Sequence, residues 1–165
     1  MAMATLHLLH GAVGSGKTTF ARQLERQIRA VRFTPDEWMV QLYGDRPPVR
    51  TFQETLDRLY DLIWEHAARV LRTGTDAIMD CGFWTRAARD EARRRAAELG
   101  ASYRLYALVC PAHVARQRVL RRTAELAGQT FWINEPAIDE LNARIEPLGP
   151  DEDHVAVDGE HLQPS

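Results

Sequence analysis

Residues 11–18 read GAVGSGKT, and no other stretch limits the fold of this chain so tightly. Gly11, Gly16, Lys17 and Thr18 fit the spacing G-x-x-x-x-G-K-[ST], which works in one setting, a turn that leaves a strand and opens a helix. The glycines let the backbone curl until successive N–H groups point inward. Those amides join the positive end of the helix dipole in a cradle for an anion. The flanks agree: TLHLLH at 5–10 reads as a strand, and the helix runs from Lys17 to about Ile28. Lys17 is the single lysine in a chain with twenty arginines. An ammonium is a compact charge that suits so tight a loop, where a planar guanidinium does not. The expected nucleotide contacts are Gly11, Val13, Gly14, Ser15, Gly16, Lys17, Thr18 and Thr19, with Lys17 on the β- and γ-phosphates and the Thr18 hydroxyl on Mg2+.

Beyond the loop, apolar runs at 30–33, 76–80, 103–110 and 154–157 alternate with helical patterns at about 35–43, 52–72, 86–99, 112–126 and 135–144. That alternation predicts an α/β fold with a parallel sheet. The 165 residues fit one domain, 1–165, with 158–165 expected as a short tail. A net charge of −2 sets up no global field for nucleic acid or an anionic membrane, although arginine is dense between 86 and 122. Cys81 and Cys110 lack the spacing of a zinc or CxxC site and are expected as buried thiols. The N-terminal run breaks at a glycine with no charged region before it, and no run reaches the ~18 to 20 apolar residues of a membrane span. A reduced, cytoplasmic protein is the expectation, with no membrane partner.

Absences narrow the class. A GTPase needs an Asn/Thr-Lys-x-Asp motif, and the one lysine is already used; no LSGGQ-type signature occurs, and the chain is short for a motor ATPase. A small kinase remains. Asp36, in FTPDEW after the second strand, is placed at the carboxyl edge of the sheet, where a carboxylate could take the proton of an attacking hydroxyl. The same residues also read as a capping box, with Thr34 as N-cap, Pro35 at N1 and Glu37 at N3. Trp38 and Tyr43 suit an acceptor pocket or the core equally. Asp80 ends an apolar strand as a Walker B carboxylate does, a second candidate for the metal with Thr18. Arg86 and Arg89 follow on a helix where either could meet substrate, but Arg89, Arg93, Arg94 and Arg95 suit a solvated face better. Arg118 and Arg122 are four apart on one helix face, expected to gather on ATP phosphates from a helical lid at about 118–133. Arg116 should point away.

With GAVGSGKT, the DEW at 36–38, MDCGFWTRAARD at 79–90 and the paired arginines in place, the sequence resembles the small P-loop kinases sometimes labelled AAA-type ATP-binding proteins. These are related to chloramphenicol phosphotransferase, zeta toxins and polynucleotide kinase, and the likeness covers almost the whole chain. The resemblance implies a P-loop NTPase, nucleoside-kinase-like three-layer fold whose five parallel strands run in the order 2-3-1-4-5. It implies Asp36 as general base beside Lys17 and Arg122, and Arg118 with Arg122 as a phosphate clamp. The expected reaction moves the γ-phosphate of ATP, with Mg2+, to a hydroxyl of an unidentified small molecule. Trp38 and Met39 stand where several polynucleotide kinases carry an arginine, so a nucleic-acid acceptor is not favoured. A polynucleotide 5′-hydroxyl kinase, a toxin-like nucleotide-sugar kinase and a non-catalytic nucleotide switch stay open as alternatives, as does the oligomeric state.

Overall fold

The computed structural model describes residues 3–162. Its elements follow the expected alternation: β1 (Thr5–His10), α1 (Lys17–Ile28), β2 (Val31–Phe33), α2 (Pro35–Tyr43), α3 (Val49–Arg72), β3 (Ala77–Gly82), α4 (Arg86–Glu98), β4 (Ser102–Val109), α5 (Ala112–Glu125), α6 (Glu135–Asn142) and β5 (Val155–Asp158). The strands form one parallel sheet in the order β2-β3-β1-β4-β5. The expected α/β three-layer fold and strand order are therefore present.

Period-two alternation explains how one strand serves two layers. Leu6 and Leu8 of β1 face a core shared with Met39, Leu59, Ile63, Ala67, Ala92 and Ala96 of α2, α3 and α4. Leu9 turns to the opposite side, where Ala21 and Leu24 of α1 pack with Ile78, Tyr106 and Leu108. α3 begins at Val49, a little earlier than the apolar stripe suggested, because Pro47 and Pro48 exclude helix only up to that point.

Two features of the framework shape the site. Leu8 pairs with Met79 but Leu9 pairs with Gly82, so Asp80 and Cys81 are squeezed out of the β1–β3 ladder at its carboxyl end. Of residues 158–165, expected as a tail, 158–162 instead fold back on the P-loop, and 163–165 lie outside the described residues. A side chain on Gly159 would meet the Ser15 carbonyl at 2.0 Å, and Leu162 packs into the α1 side of the core. Nothing but glycine fits that approach.

Among the described residues no helix is long and apolar enough to cross a membrane. Both cysteines are free thiols, Cys81 buried and Cys110 half-buried.

Candidate active site

α1 opens on glycine without a side-chain cap. Gly16 takes the N-cap position at φ 100°, and no acidic residue lies in the first turn. α4 and α6 do carry side-chain caps: Thr85 accepts from the Ala88 amide and Asn134 from the Ala137 amide. An uncapped helix start following a glycine turn leaves its first N–H groups for a ligand. Gly14 is tied to the framework, since a Cβ there would meet the Ala115 carbonyl at 2.3 Å with φ at 80°. The Ser15 hydroxyl is buried inside the loop without a partner, an orphaned polar atom of the kind a bound group satisfies. The Val13 amide points instead toward Asn142 Oδ1, at 3.4 Å.

Lys17 bends back across the loop and donates to the carbonyls of Gly11 (2.8 Å) and Ala12 (2.7 Å). Burial lowers its pKa to about 8, and Asp80 and Asp36 oppose that shift. Thr18, one residue on, donates its hydroxyl to Asp80 Oδ1 at 3.2 Å. The two expected metal ligands therefore meet. Asp80 is buried, which raises its carboxyl to about 6 against the pull of Arg32 and Thr18.

Arg32 is a neighbour the sequence did not announce. Its guanidinium donates to Asp80 Oδ2 (2.9 Å), to Glu37 and Glu25 (3.3 Å each) and to the Thr34 hydroxyl. Burial works against its charge, but Glu37 and Asp80 outweigh that and raise its pKa. The capping box does not form for the same reason. Thr34 is the N-cap of α2 without a side-chain cap bond, and Glu37 turns away to pair with Arg22 (2.7 Å) and Arg32. Burial tends to raise the Glu37 carboxyl, but the bonds from Arg32 and Arg22 prevail and lower it.

Asp36 follows at the N-terminus of α2, accessible to solvent. It has no hydrogen bond and no ion pair within 4 Å, yet it feels Lys17 and Arg122 electrostatically. Loss of hydration among the surrounding protein atoms raises its pKa, and the two cations only partly offset this. Arg122 is the third member. Its Nε is buried without a partner, burial lowers its pKa, and Asp36 is the group that supports its charge.

The two arginines expected to act together part ways. Arg118 turns from Arg122 and donates to the carbonyls of Gly159 (2.6 Å) and Glu160, fastening the turn behind the P-loop to α5. Arg116 leaves the site altogether for Asp139 of α6. The segment expected as a lid comprises the end of α5 and a loop closed onto the α2–α3 connection. The Trp132 amide donates to the Asp45 carbonyl (3.0 Å), the Gly128 amide to Asp45 Oδ2 (3.1 Å), and Arg46 lies over the Trp132 ring.

α4 corrects another expectation. Arg89 is not on a solvated face: it is 1% exposed, and its guanidinium donates to both oxygens of Glu152 (2.6 and 3.0 Å) and to the carbonyls of Phe83 and Trp84 (3.0 Å each). The polar carbonyls left where β3 ends supply what a buried guanidinium needs. Trp84, held there, donates its indole N–H to the Gly11 carbonyl at 3.0 Å. Arg93, Arg94 and Arg95 pair with Asp90, Glu91 and Glu98 along the outside of the helix. Arg86 pairs with Asp90 and Asp151.

A family model described as an AAA domain matches residues 6–148. No curated protein matches the sequence. Among solved structures, a protein from Chloroflexus aurantiacus j-10-fl assigned to the kinases is 18% identical with a TM-score of 0.76, covering 96% of this chain and 90% of its own. A chain of the Pnkp1/Rnl/Hen1 RNA repair complex is 23% identical with a TM-score of 0.71, over 87% of this chain but 44% of its own. A gluconokinase from Sinorhizobium meliloti 1021 is 18% identical with a TM-score of 0.64, over 99% and 86%. At these identities the likeness is one of fold.

Proposed function

The chain belongs to the AAA domain family, and from that membership and the charges around its P-loop we propose an ATP- and Mg2+-dependent phosphotransferase acting on a hydroxyl of a small molecule. One observation carries the reading. Lys17, Arg122 and Asp36 influence one another's charge, yet Asp36 forms no ion pair with either cation. Two cations with donors to spare and a carboxylate with free lone pairs suit a transfer in which phosphate enters between them and an alcohol approaches from the Asp36 side.

In that reaction the amides at the start of α1 and Lys17 bind the phosphates of ATP. Asp36 accepts the alcohol proton as the acceptor oxygen bonds to the γ-phosphorus. The bond from that phosphorus to the β–γ bridging oxygen breaks, and ADP leaves with the electron pair. Arg122 answers the charge that builds on the transferring group. Among the described residues no three His, Cys, Asp or Glu side chains form a metal cluster, so a cation here would take phosphate oxygens and waters beside Thr18 and Asp80. That suits Mg2+, which keeps several waters and needs few protein ligands, and when bound it would neutralise phosphate charge.

A small acceptor is favoured over a nucleic acid because most of the arginines dense between 86 and 122 are already used. Arg86, Arg89, Arg93, Arg94, Arg95 and Arg116 all have carboxylate partners in the fold. The test is incubation with Mg2+ and ATP labelled at the γ-position against a panel of small alcohols, nucleotide sugars and 5′-hydroxyl oligonucleotides. Labelled small-molecule product is expected. Label only on oligonucleotides would overturn the choice of acceptor, and intact ATP binding with no product from any acceptor would favour a switch over an enzyme.

A further inference from the structure

We propose that Trp84 is a positioning residue of the phosphate loop, holding the Gly11 carbonyl so that Lys17 can release it to the γ-phosphate. The inference rests on the nucleotide reading above and assigns a task to a residue outside the loop motif.

The Gly11 carbonyl receives two donors, Lys17 Nζ at 2.8 Å and Trp84 Nε1 at 3.0 Å. Gly11 is buried, whereas Ala12, whose carbonyl takes the other Lys17 bond, is half-exposed. An ammonium has three donors. Two are spent on the loop, which leaves one for a ligand. One donor suffices for a β-phosphate, but a lysine that also bonds the γ-phosphate must give up a loop carbonyl. Releasing a buried carbonyl is costly unless a second donor stays on it. Trp84 is that donor, so Gly11 is the partner Lys17 can leave.

The indole is held in place from several sides. It lies across Gly82, where a Cβ would come within 2.3 Å of Nε1. The carbonyl of Trp84 accepts from the buried Arg89 and from the Glu146 amide (2.8 Å). Its ring packs on the cluster of Val13, Val119 and Ile138, which joins the P-loop to α5 and α6. Glycine at 82, two residues before the tryptophan, is thus a condition of the contact.

Affinities for ADP and for a non-hydrolysable ATP analogue with an N–H bridge between the β- and γ-phosphorus are measured for wild type, Trp84→Phe and Gly82→Ala, with Trp64→Phe as a control on the far part of α3. Trp84→Phe keeps the ring and loses the donor. Without nucleotide Lys17 still holds the Gly11 carbonyl, so the melting temperature of ligand-free Trp84→Phe should stay within about 2 °C of wild type. Its affinity for the triphosphate analogue should fall roughly tenfold and for ADP by less than about threefold, consistent with one unpaired buried acceptor. Gly82→Ala displaces the indole and should repeat that pattern even if Trp84→Phe fails to fold. Equal weakening of both nucleotides, or of neither, overturns the proposal. So does a fall of several degrees in ligand-free melting with both affinities intact, which would mark Trp84 as packing alone. Wild type binding neither nucleotide would instead sink the phosphate-loop reading, and this inference with it.

Discussion

Replacing Glu152 by glutamine removes one charge and leaves the shape of the side chain. Glu152 is 5% exposed and accepts from Arg89 Nε, from a terminal nitrogen of Arg89, and from the Gly149 amide at 2.9 Å. The Arg89 bond is the main reason its carboxyl falls to about 2 from an ordinary 4.5. A depressed carboxylate contributes stability that is present above its unfolded pKa and lost as pH falls toward the folded one. Here the window runs from about 4.5 down to about 2, and the contribution at neutral pH is about 3 kcal/mol. A second route agrees: breaking a buried pair by removing one partner costs about 3 to 5 kcal/mol, since Arg89 at 1% exposure would keep its charge uncompensated. For a domain of this length, 1 kcal/mol shifts melting by about 2 to 4 °C, so Glu152→Gln should melt roughly 6 to 12 °C below wild type at pH 7. The assay is thermal unfolding followed by circular dichroism from pH 7 to pH 2.5. The gap between the two proteins should narrow through the acid window as the wild-type carboxyl takes up its proton. A fall of less than 2 °C at pH 7, or a gap that does not narrow in acid, would refute the reasoning.

The other expectations concern the site. Asp36→Asn should slow phosphoryl transfer by about a hundredfold or more with nucleotide affinity intact and melting little changed, since Asp36 makes no hydrogen bond; transfer near the wild-type rate would place the base elsewhere. Because the Asp36 carboxyl is raised and must be ionised to accept a proton, the acid limb of wild-type turnover should lie above the ordinary carboxylate range; a limb at or below that range would count against it. ADP affinity should decline as pH rises through about 8, where Lys17 loses its proton, and a Lys17→Ala protein should show weak binding with no such step; an equal step in both would assign it to another group. Arg122→Ala should reduce turnover more than ADP affinity, whereas Arg118→Ala should lower melting and weaken ADP and ATP alike by freeing the 158–162 turn; identical effects at both positions would contradict their different partners.

The loop motif placed β1 and the start of α1 in advance because it works only in a turn that leaves a strand and opens a helix, and the apolar run ending in Asp80 offered that carboxylate as a companion for Thr18. Most strand boundaries followed from apolar runs. The strand order did not, since local patterns say nothing about which strands become neighbours; it came with the family resemblance. The arginines show a further limit. Spacing put Arg118 and Arg122 on one helix face, but the groups that act on them come from opposite ends of the sequence: the charge of Asp36 for Arg122, the carbonyls of Gly159 and Glu160 for Arg118. Arg89 reads like its neighbours Arg93 and Arg94, and only the carbonyls at the end of β3 and the Glu152 carboxylate distinguish it. Trp84 and Arg32 carried a faint signal at most: a glycine two residues before the tryptophan, and a charged residue inside a short strand that precedes an acidic helix start.

The turn at 158–162 gives the site an order of assembly in time. Gly11 and the Gly159 that backs the loop are separated by 148 residues. At a synthesis rate of roughly 5 to 20 residues per second, that separation is roughly 7 to 30 s. The nucleotide cradle is thus begun well before it is finished, because its rear wall, the carbonyls that Arg118 grips and the anchor at Leu162 all follow Gly11 by that whole interval. A nascent chain halted before β5 would carry the complete GAVGSGKT signature with no wall behind it, and capture of ribosome-bound chains on immobilised nucleotide should succeed only once residues 155–162 have emerged.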